Sequence, residues 1–520
     1  MPIRLLQAKV LFLIILGLSS CSPFRLIIPT RSSLDTLSIK DYIGSKNNPF
    51  LKIHMGNGMV YILSEWGLDE EEVHVLGKGK LYGINRKLIS DGEFNIPITQ
   101  ISLAESNTLM KAINPLSVMT IFSLGGSAAC LSMPKLCFGS CPTFYITDGD
   151  SLQLMAEGFS LSTTPLWEDT DVDALFLADP NGPEVHLRVT NEAQETHAIK
   201  SVRLLAFPKE KERRVIKLED DHYFSSRMVV PSSCVAEEGD ILPKIIFFDN
   251  DERYTVTDEF DLTAKEYIEV SFDEVEKNEN ALVLGFRQTI MATFVYYTML
   301  DYMGDTRGDG IAKLIREDKV NFKPRERILD ALGGIEVQML DQKGHWSTVE
   351  TVYEAGPIAK DVIGIRLPPI QGEEIRIRLE MTKGMWRLDY LALAGLEKEL
   401  EPLAIEPYRI EDSNGNVDNY SLELLLDPDR YLTTLLGDKH DIFFPMPDED
   451  ESFEWFLESR GYYLEWHRDA WLVNRDMVAL LELQLQPKRA LKKMASMYKD
   501  IEEEFEDLFW NSRYEMDHNY

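Results

Sequence analysis

The chain has 520 residues and a formal net charge of −33, and 44% of its residues are hydrophobic and 10% aromatic. This length exceeds what one hydrophobic core organises, so the composition predicts a folded protein of several domains and not a disordered chain. The acidity argues against binding nucleic acid, or anionic lipid through a general basic surface, because both need clustered Lys and Arg.

Residues 1–20 have the order of an exported bacterial signal peptide. Two basic residues are followed by the apolar stretch 10–18, which is too short to cross a bilayer as a helix. The stretch ends in Leu18-Ser19-Ser20-Cys21, which resembles a bacterial lipoprotein lipobox. That resemblance implies cleavage before the cysteine, acylation of its thiol and a lipid tether. Ser22 favours the outer membrane as the destination, and an ordinary secretory signal with Cys21 free is the alternative.

The next segments lead from the tether into β-structure. Residues 21–48 lack periodicity and are rich in Ser, Pro and Asn, so they predict a tether between the lipid and the folded part. Residues 49–106 carry short strand-like runs separated by turns, and they predict a small β-barrel or roll. Residues 107–135 include the uncharged run 112–134, which Pro and a Gly pair interrupt. An apolar linker or buried helical hairpin is the favoured interpretation, with a membrane span as the alternative.

Four cysteines remain once Cys21 is acylated: Cys130, Cys137, Cys141 and Cys234. An even number of cysteines in an exported protein predicts disulfides. Either Cys137 pairs with Cys141 while Cys130 pairs with Cys234, or Cys141 reaches Cys234, and the spacing does not choose. Free thiols and a zinc site are the alternatives, but no His lies close by and the spacing lacks a second matching pair.

The central part of the chain is again strand-like. Residues 136–277 predict a β-sandwich, since segments such as 185–190 alternate apolar and polar side chains. Residues 278–326 predict a helical connector, because the run 281–303 is nearly continuously apolar. Residues 327–397 predict a second β-sandwich-like domain. The fold class is therefore mainly β with helical additions, an α+β organisation.

Trp346 and Trp386 are the candidate ligand-binding residues. A flat indole ring near a loop of an exposed sheet can stack on the face of a sugar. For both residues a packed core position is the favoured interpretation, and stacking on a ligand is the hypothesis to test.

Residues 398–520 predict a β-hairpin followed by a helical C-terminal region, with a helix that starts at Pro487. Four oxygen-bearing side chains have the spacing of the first, third, fifth and twelfth positions of a calcium loop: Asp412, Asn414, Asn416 and Glu423. The sixth position is Val417 where such a loop requires Gly. A hairpin turn explains the same residues and is favoured, which leaves a weak calcium candidate and no other metal site.

No catalytic motif stands out in the chain. It contains no GxSxG, HExxH, GxxxxGK[ST] or strand-linked GxGxxG pattern, so the sequence predicts neither catalytic residues nor a cofactor. The segments KLCFGSCPTFY, NEAQETH and ESRGYYLEWHRDAW, with FWNSRY, are similar to a group of uncharacterised bacterial cell-envelope lipoproteins over most of the mature chain. The group has no assigned activity, so the resemblance implies the lipobox and the architecture but no catalytic residue.

Two hypotheses from different classes follow. The first is a non-enzymatic cell-envelope protein, anchored through a lipid on Cys21, with an interaction, scaffolding or ligand-capture role. The second is a glycan-binding or glycan-processing envelope protein that uses a groove between β-domains. The expected partners are a membrane and either envelope proteins or glycans, without nucleic acid.

Overall fold

The computed structural model describes residues 51–55, 57–69, 73–83, 88–106, 141–148, 151–180, 182–193, 195–218, 221–249, 251–273, 275, 279–304, 323–353, 356–369, 374–448, 451–465 and 475–511. It is mostly β, with 50% strand and 18% helix, arranged as several antiparallel sheets with a few helices near the C-terminus, which confirms the predicted fold class. Two compact units divide the chain: the described residues up to 106 belong to the first, and those from 141 belong to the second.

The first unit is a single antiparallel sheet. Its strands are β1 (Leu51–Met55), β2 (Val60–Leu68), β3 (His74–Tyr82), β4 (Leu88–Pro97) and β5 (Ile101–Ser106). The order is β4-β3-β2-β1-β5, so β4 and β5 lie at opposite edges, and the closed barrel predicted as one form of residues 49–106 is wrong. A barrel requires its two edge strands to pair, which these described strands do not do. Gly79 lies inside β3, where a Cβ would come within 2.0 Å of the Ile62 carbonyl oxygen.

The second unit contains four larger sheets, numbered here by their packing order. Sheet 1 consists of β25 (Arg409–Glu411), β27 (Lys439–Pro445), β9 (Glu184–Thr190), β6 (Thr143–Asp148) and β7 (Ser151–Glu157), in that order. Sheet 2 consists of β24 (Leu403–Ile405), β10 (Glu195–Pro208), β28 (Phe453–Glu465) and β8 (Asp169–Ala174), and β26 (Leu432–Leu435) also pairs with β10.

Sheet 3 consists of β13 (Met228–Val229), β22 (Trp386–Gly395), β17 (Asn280–Gln288) and β20 (Asp361–Arg366). Sheet 4 consists of β15 (Gly239–Asp240), β14 (Ser233–Ala236), β16 (Lys265–Phe272), β21 (Ile375–Thr382), β18 (Ile335–Leu340) and β19 (Trp346–Val352). A small sheet is formed by β11 (Arg214–Lys217), β12 (Tyr223–Ser226) and β23 (Lys398–Leu400).

Three hydrophobic cores hold these sheets together. Leu204 of β10 faces the core between sheets 1 and 2, whereas its neighbour Leu205 faces the core shared with sheet 3. Val283 of β17 also belongs to that shared core, and Leu284 faces the core between sheets 3 and 4. Successive side chains of a strand point to opposite faces, so β10 and β17 are buried on both sides. Sheets 1 to 4 therefore stack in that order.

The strand composition of these sheets differs from the predicted sandwich ranges. Sheets 1 and 2 take their strands from residues 143–208 and 403–465, and sheets 3 and 4 take theirs from the intervening residues 228–395. Residues 280–288, predicted as part of the helical connector, form β17. Its apolar residues are continuous because the strand is buried on both faces, a pattern that a short buried helix shares.

Six helices complete the described residues: α1 (Met291–Met303), α2 (Lys323–Leu332), α3 (Asn419–Leu426), α4 (Met477–Leu485), α5 (Pro487–Lys499) and α6 (Glu502–Asn511). The carboxylate of Asp476 accepts the Val478 and Ala479 N–H groups at 3.0 and 2.9 Å, which caps α4. Helix α5 starts at Pro487, as predicted. Within the part of the chain that the structure describes, no helix has the length and apolar character to span a membrane.

Candidate ligand-binding face

The outer face of sheet 4 is the candidate site. In β21 the side chains of Ile377 and Leu379 are buried while Arg376 and Arg378 point outward. The inward side chains belong to the core shared with sheet 3. That core fixes the backbone, so the outward side chains project from a rigid support.

Three planar side chains form a row across this face. The Arg378 guanidinium carbon lies 4.2 Å from the ring centroid of Trp346 and 5.6 Å from that of Tyr267, which are cation–π distances. Trp346 on β19 is half-buried, and Tyr267 on β16 is 47% exposed. The guanidinium thus bridges two rings that keep part of their surface toward solvent. We refer to Tyr267, Arg378 and Trp346 as the aromatic row.

Hydrogen-bonding groups surround the aromatic row. Arg378 Nη2 donates to Glu269 Oε1 at 2.9 Å, which holds the guanidinium in place. Gln338 Nε2 donates to Glu336 Oε1 at 2.9 Å, and the Thr348 hydroxyl donates to the same carboxylate. These two hydrogen bonds lower the pKa of Glu336, so it is an ionised acceptor at neutral pH.

The row and its polar neighbours provide two kinds of contact. Flat aromatic rings bind the apolar face of a ring-shaped ligand, and fixed polar groups orient its hydroxyl groups. Sequence reasoning named Trp346 as a candidate and did not name Tyr267 or Arg378. They lie on two other strands, and only the pairing of β16, β21, β18 and β19 brings them together.

Trp386 is not part of this face. It is fully buried at the start of β22, with its ring centroid 5.8 Å from that of Phe286. Its position matches the core interpretation, and a ring in this position presents no surface for stacking on a ligand.

Among the described residues, no two cysteines form a disulfide. Cys141 and Cys234 are both buried and free, and they belong to different cores, between sheets 1 and 2 and between sheets 3 and 4. A bond between them is therefore not formed. Burial raises the pKa of Cys141 well above its usual range and that of Cys234 to about 12. Cys21, Cys130 and Cys137 lie outside the described residues, so the acylation of Cys21 and the pairings that involve Cys130 or Cys137 stay predictions.

The calcium candidate folds as a tight turn. Asp412 Oδ1 accepts the Asn414 and Asn416 N–H groups at 2.8 and 3.0 Å, and Gly415 has a φ of +77°. Glu423 lies on the exposed side of α3. Among the described residues no group of three or more His, Cys, Asp or Glu is arranged to hold a metal ion. The favoured hairpin interpretation thus matches the observed turn.

A buried polar cluster contains Cys141, Glu195, His197 and Tyr463, which come from distant parts of the chain. Cys141 precedes β6, His197 lies on β10, and Tyr463 lies on β28, where it pairs with His197. His197 Nε2 is 3.1 Å from Glu195 Oε2, and the Tyr463 hydroxyl donates to the Ser160 carbonyl at 3.1 Å. These four side chains are buried, so the cluster fastens sheets 1 and 2 and is closed to a ligand.

A second polar array lies on the outer face of sheet 1. His186 Nδ1 is 2.6 Å from the Thr147 hydroxyl, and its Nε2 is 2.6 Å from Asp441 Oδ1. Arg188 donates to both oxygens of Asp441, at 2.7 and 2.9 Å. The order hydroxyl, imidazole, carboxylate resembles that of serine hydrolases, but Asp441 is shared with a guanidinium. We interpret the array as a set of hydrogen bonds that holds strands β6, β9 and β27 together.

Comparison with known proteins identifies no family. No protein-family model matches the chain, and no curated protein matches it. Among solved structures, the chain is similar to BpGH86A, a β-porphyranase of glycoside hydrolase family 86 from the human gut bacterium Bacteroides plebeius. The identity is 6% and the TM-score 0.16, with 49% of this chain and 39% of that chain covered. The alignment spans about two fifths of that protein, and a likeness this weak carries no argument.

Proposed function

We propose that this chain is a lipid-anchored cell-envelope protein that captures a ligand through the outer face of sheet 4 without transforming it. The anchoring part rests on the sequence around Cys21, which resembles a lipobox. The resemblance of four sequence segments to envelope lipoproteins supports the same location. The capture part rests on the aromatic row.

The ligand that fits the aromatic row best is a glycan. A pyranose ring presents a flat C–H face that stacks on an indole or phenol ring, and its hydroxyl groups pair with carboxylate, amide and guanidinium groups. The outer face of sheet 4 offers all of these within a few ångströms of Arg378. The row is therefore the observation that carries the proposal.

The state of Glu336 does not suit it to act as a general acid. A glycosidase needs one carboxylic acid whose raised pKa lets it donate a proton at neutral pH. Hydrogen bonds from Thr348 and Gln338 have the opposite effect and lower the pKa of Glu336. This carboxylate is suited to accept hydrogen bonds from hydroxyl groups.

A polysaccharide pull-down tests the capture role. The full chain, extracted in detergent, is incubated with a panel of insoluble polysaccharides, alongside the variants Trp346→Ala and Tyr420→Ala. Tyr420 is a matched control because it is 52% exposed on α3, away from sheet 4. We expect wild type and Tyr420→Ala to be retained by at least one polysaccharide and Trp346→Ala to be lost. Retention of no variant, or equal retention of all three, contradicts glycan capture.

Labelled palmitate tests the anchor separately. Wild type and the control Ser22→Ala should incorporate the label and sediment with membranes, while Cys21→Ala should incorporate none. Label in Cys21→Ala, or no label in wild type, contradicts lipidation of Cys21.

A further inference from the structure

The outer face of sheet 4 carries positive and negative side chains in balance. Strands β16, β21 and β18 direct six charged side chains away from the core: Lys265, Glu269, Glu336, Arg376, Arg378 and Glu380. Half of them are basic and half acidic, so their charges cancel in a chain whose net charge is −33. The way in which these charges pair decides which ligands the face can accept.

Glu269 lies between the two arginines of this face. It stands opposite Arg378 in the pairing of β16 with β21, and its Oε1 accepts from Arg378 Nη2 at 2.9 Å and from Nε at 3.3 Å. Its Oε2 lies 3.6 Å from Arg376 Nη2. One carboxylate thus contacts both guanidinium groups, and a carboxylate or sulfate of a ligand has to compete with it for either of them.

Two further carboxylates lie next to the aromatic row. Glu336 and Glu380 are opposite each other in the pairing of β18 with β21. Gln338 Nε2 donates to both of them, at 2.9 and 3.3 Å. The Lys265 ammonium donates to a backbone carbonyl and a hydroxyl group at 3.2 and 3.0 Å. An anionic ligand on the row therefore meets two negative side chains at close range.

We infer that this face selects uncharged glycans and that Glu269 sets the selectivity. The inference rests on the proposed function, because it concerns the ligand of the same face. Hydroxyl groups of a neutral sugar donate to carboxylates and accept from guanidinium groups without displacing an ion pair. An acidic sugar is repelled by Glu336 and Glu380, while the arginines that could attract it are already paired with Glu269.

Matched polysaccharides with and without charge test this selectivity. The full chain, extracted in detergent, is incubated with beads that carry each polysaccharide of the panel either as the uncharged polymer or as its own sulfated derivative. We expect wild type to be retained by uncharged polymers only.

Removal of one charge assigns the selectivity to Glu269. Glu269→Gln keeps hydrogen-bonding groups for the arginines but leaves their charges unopposed. The apparent dissociation constant for a sulfated polymer should fall on the order of tenfold, and this gain should disappear in about 0.5 M sodium chloride. The matched control Glu503→Gln removes the same charge from an exposed position on α6 and should bind sulfated polymers no better than wild type.

Failure of this inference and failure of the proposed function give different results. Wild type that is retained by sulfated polymers as well as by uncharged ones overturns the selectivity and leaves glycan capture intact. An equal gain in Glu269→Gln and Glu503→Gln would assign the selectivity to the overall charge of the chain, and a gain in neither would exclude Glu269 as its source; both overturn the inference. Retention of wild type by no polymer, charged or uncharged, contradicts the capture role itself and the inference with it.

Discussion

Glu506 of helix α6 is the residue whose removal most sharply tests how the C-terminal helices are held. Its carboxylate is buried and accepts the Ile290 N–H at 2.6 Å, next to the first residue of α1. It also accepts a hydrogen bond from Arg387 Nη2 at 3.0 Å. The Glu506 carboxylate thus accepts hydrogen bonds from the backbone at the start of α1 and from a guanidinium on β22, and these bonds hold α6 against sheet 3.

The expected cost of Glu506→Ala follows from the groups it leaves behind. An orphaned buried donor costs about 1–3 kcal/mol, and two donors are affected. After the substitution Arg387 still has a Glu252 oxygen at 3.6 Å and is partly exposed, so the cost of its lost hydrogen bond lies at the low end of this range. We expect the free energy of unfolding to fall by about 3 kcal/mol in total. Glu506→Gln keeps an oxygen for Ile290. Because burial raises the pKa of Glu506, losing the charge costs little, and we expect about 1 kcal/mol.

Urea denaturation of the full chain measures both values. The free energy of unfolding is taken from the transition of the second unit, followed by far-ultraviolet circular dichroism and tryptophan fluorescence. Glu503→Gln is the matched control, since Glu503 is exposed on the same helix, and its effect should stay within about 0.5 kcal/mol. If Glu506→Ala is no more destabilising than Glu506→Gln or Glu503→Gln, the two hydrogen bonds do not hold α6.

Three other predictions concern stability and thiol reactivity. Burial raises the pKa of Asp441, but hydrogen bonds from His186 and Arg188 outweigh this effect and lower the pKa from 3.8 to about 2. Asp441 therefore contributes about 1–2 kcal/mol to the free energy of unfolding, after allowance for screening. This contribution is present above about pH 4 and is lost as the pH falls toward 2, so Asp441→Asn should remove this part of the acid-denaturation curve. Trp386→Ala should cost about 3–5 kcal/mol in urea denaturation, because it empties a core position, against about 1 kcal/mol for the half-buried Trp346→Ala. Alkylation mapped by mass spectrometry should modify Cys141 and Cys234 only after unfolding, because burial raises both thiol pKa values; labelling of the folded chain contradicts this.

Local patterns were sufficient for many of the strands and for the fold class. The alternation around residues 185–190 predicted β9, and the proline at 487 predicted the start of α5. The same rules misassigned residues 280–288, because a strand buried on both faces has the composition of a buried helix.

The arrangement of the sheets and the aromatic row was beyond local patterns. Leu204 pairs with Leu457, a contact across about half the chain that no short segment encodes. Tyr267, Arg378 and Trp346 come from three separate strands, and each alone looks like an ordinary surface residue of a sheet. Their proximity follows from strand order, which depends on the packing of all four sheets.

The central claim, capture of a glycan on the aromatic row, is tested most directly by calorimetry. A soluble oligosaccharide from the polysaccharide that retains the wild type is titrated into wild type, Trp346→Ala and Tyr420→Ala. Loss of one stacking ring should raise the dissociation constant at least about tenfold for Trp346→Ala and leave Tyr420→Ala unchanged. Equal dissociation constants for all three proteins would place the ligand elsewhere and contradict the proposal.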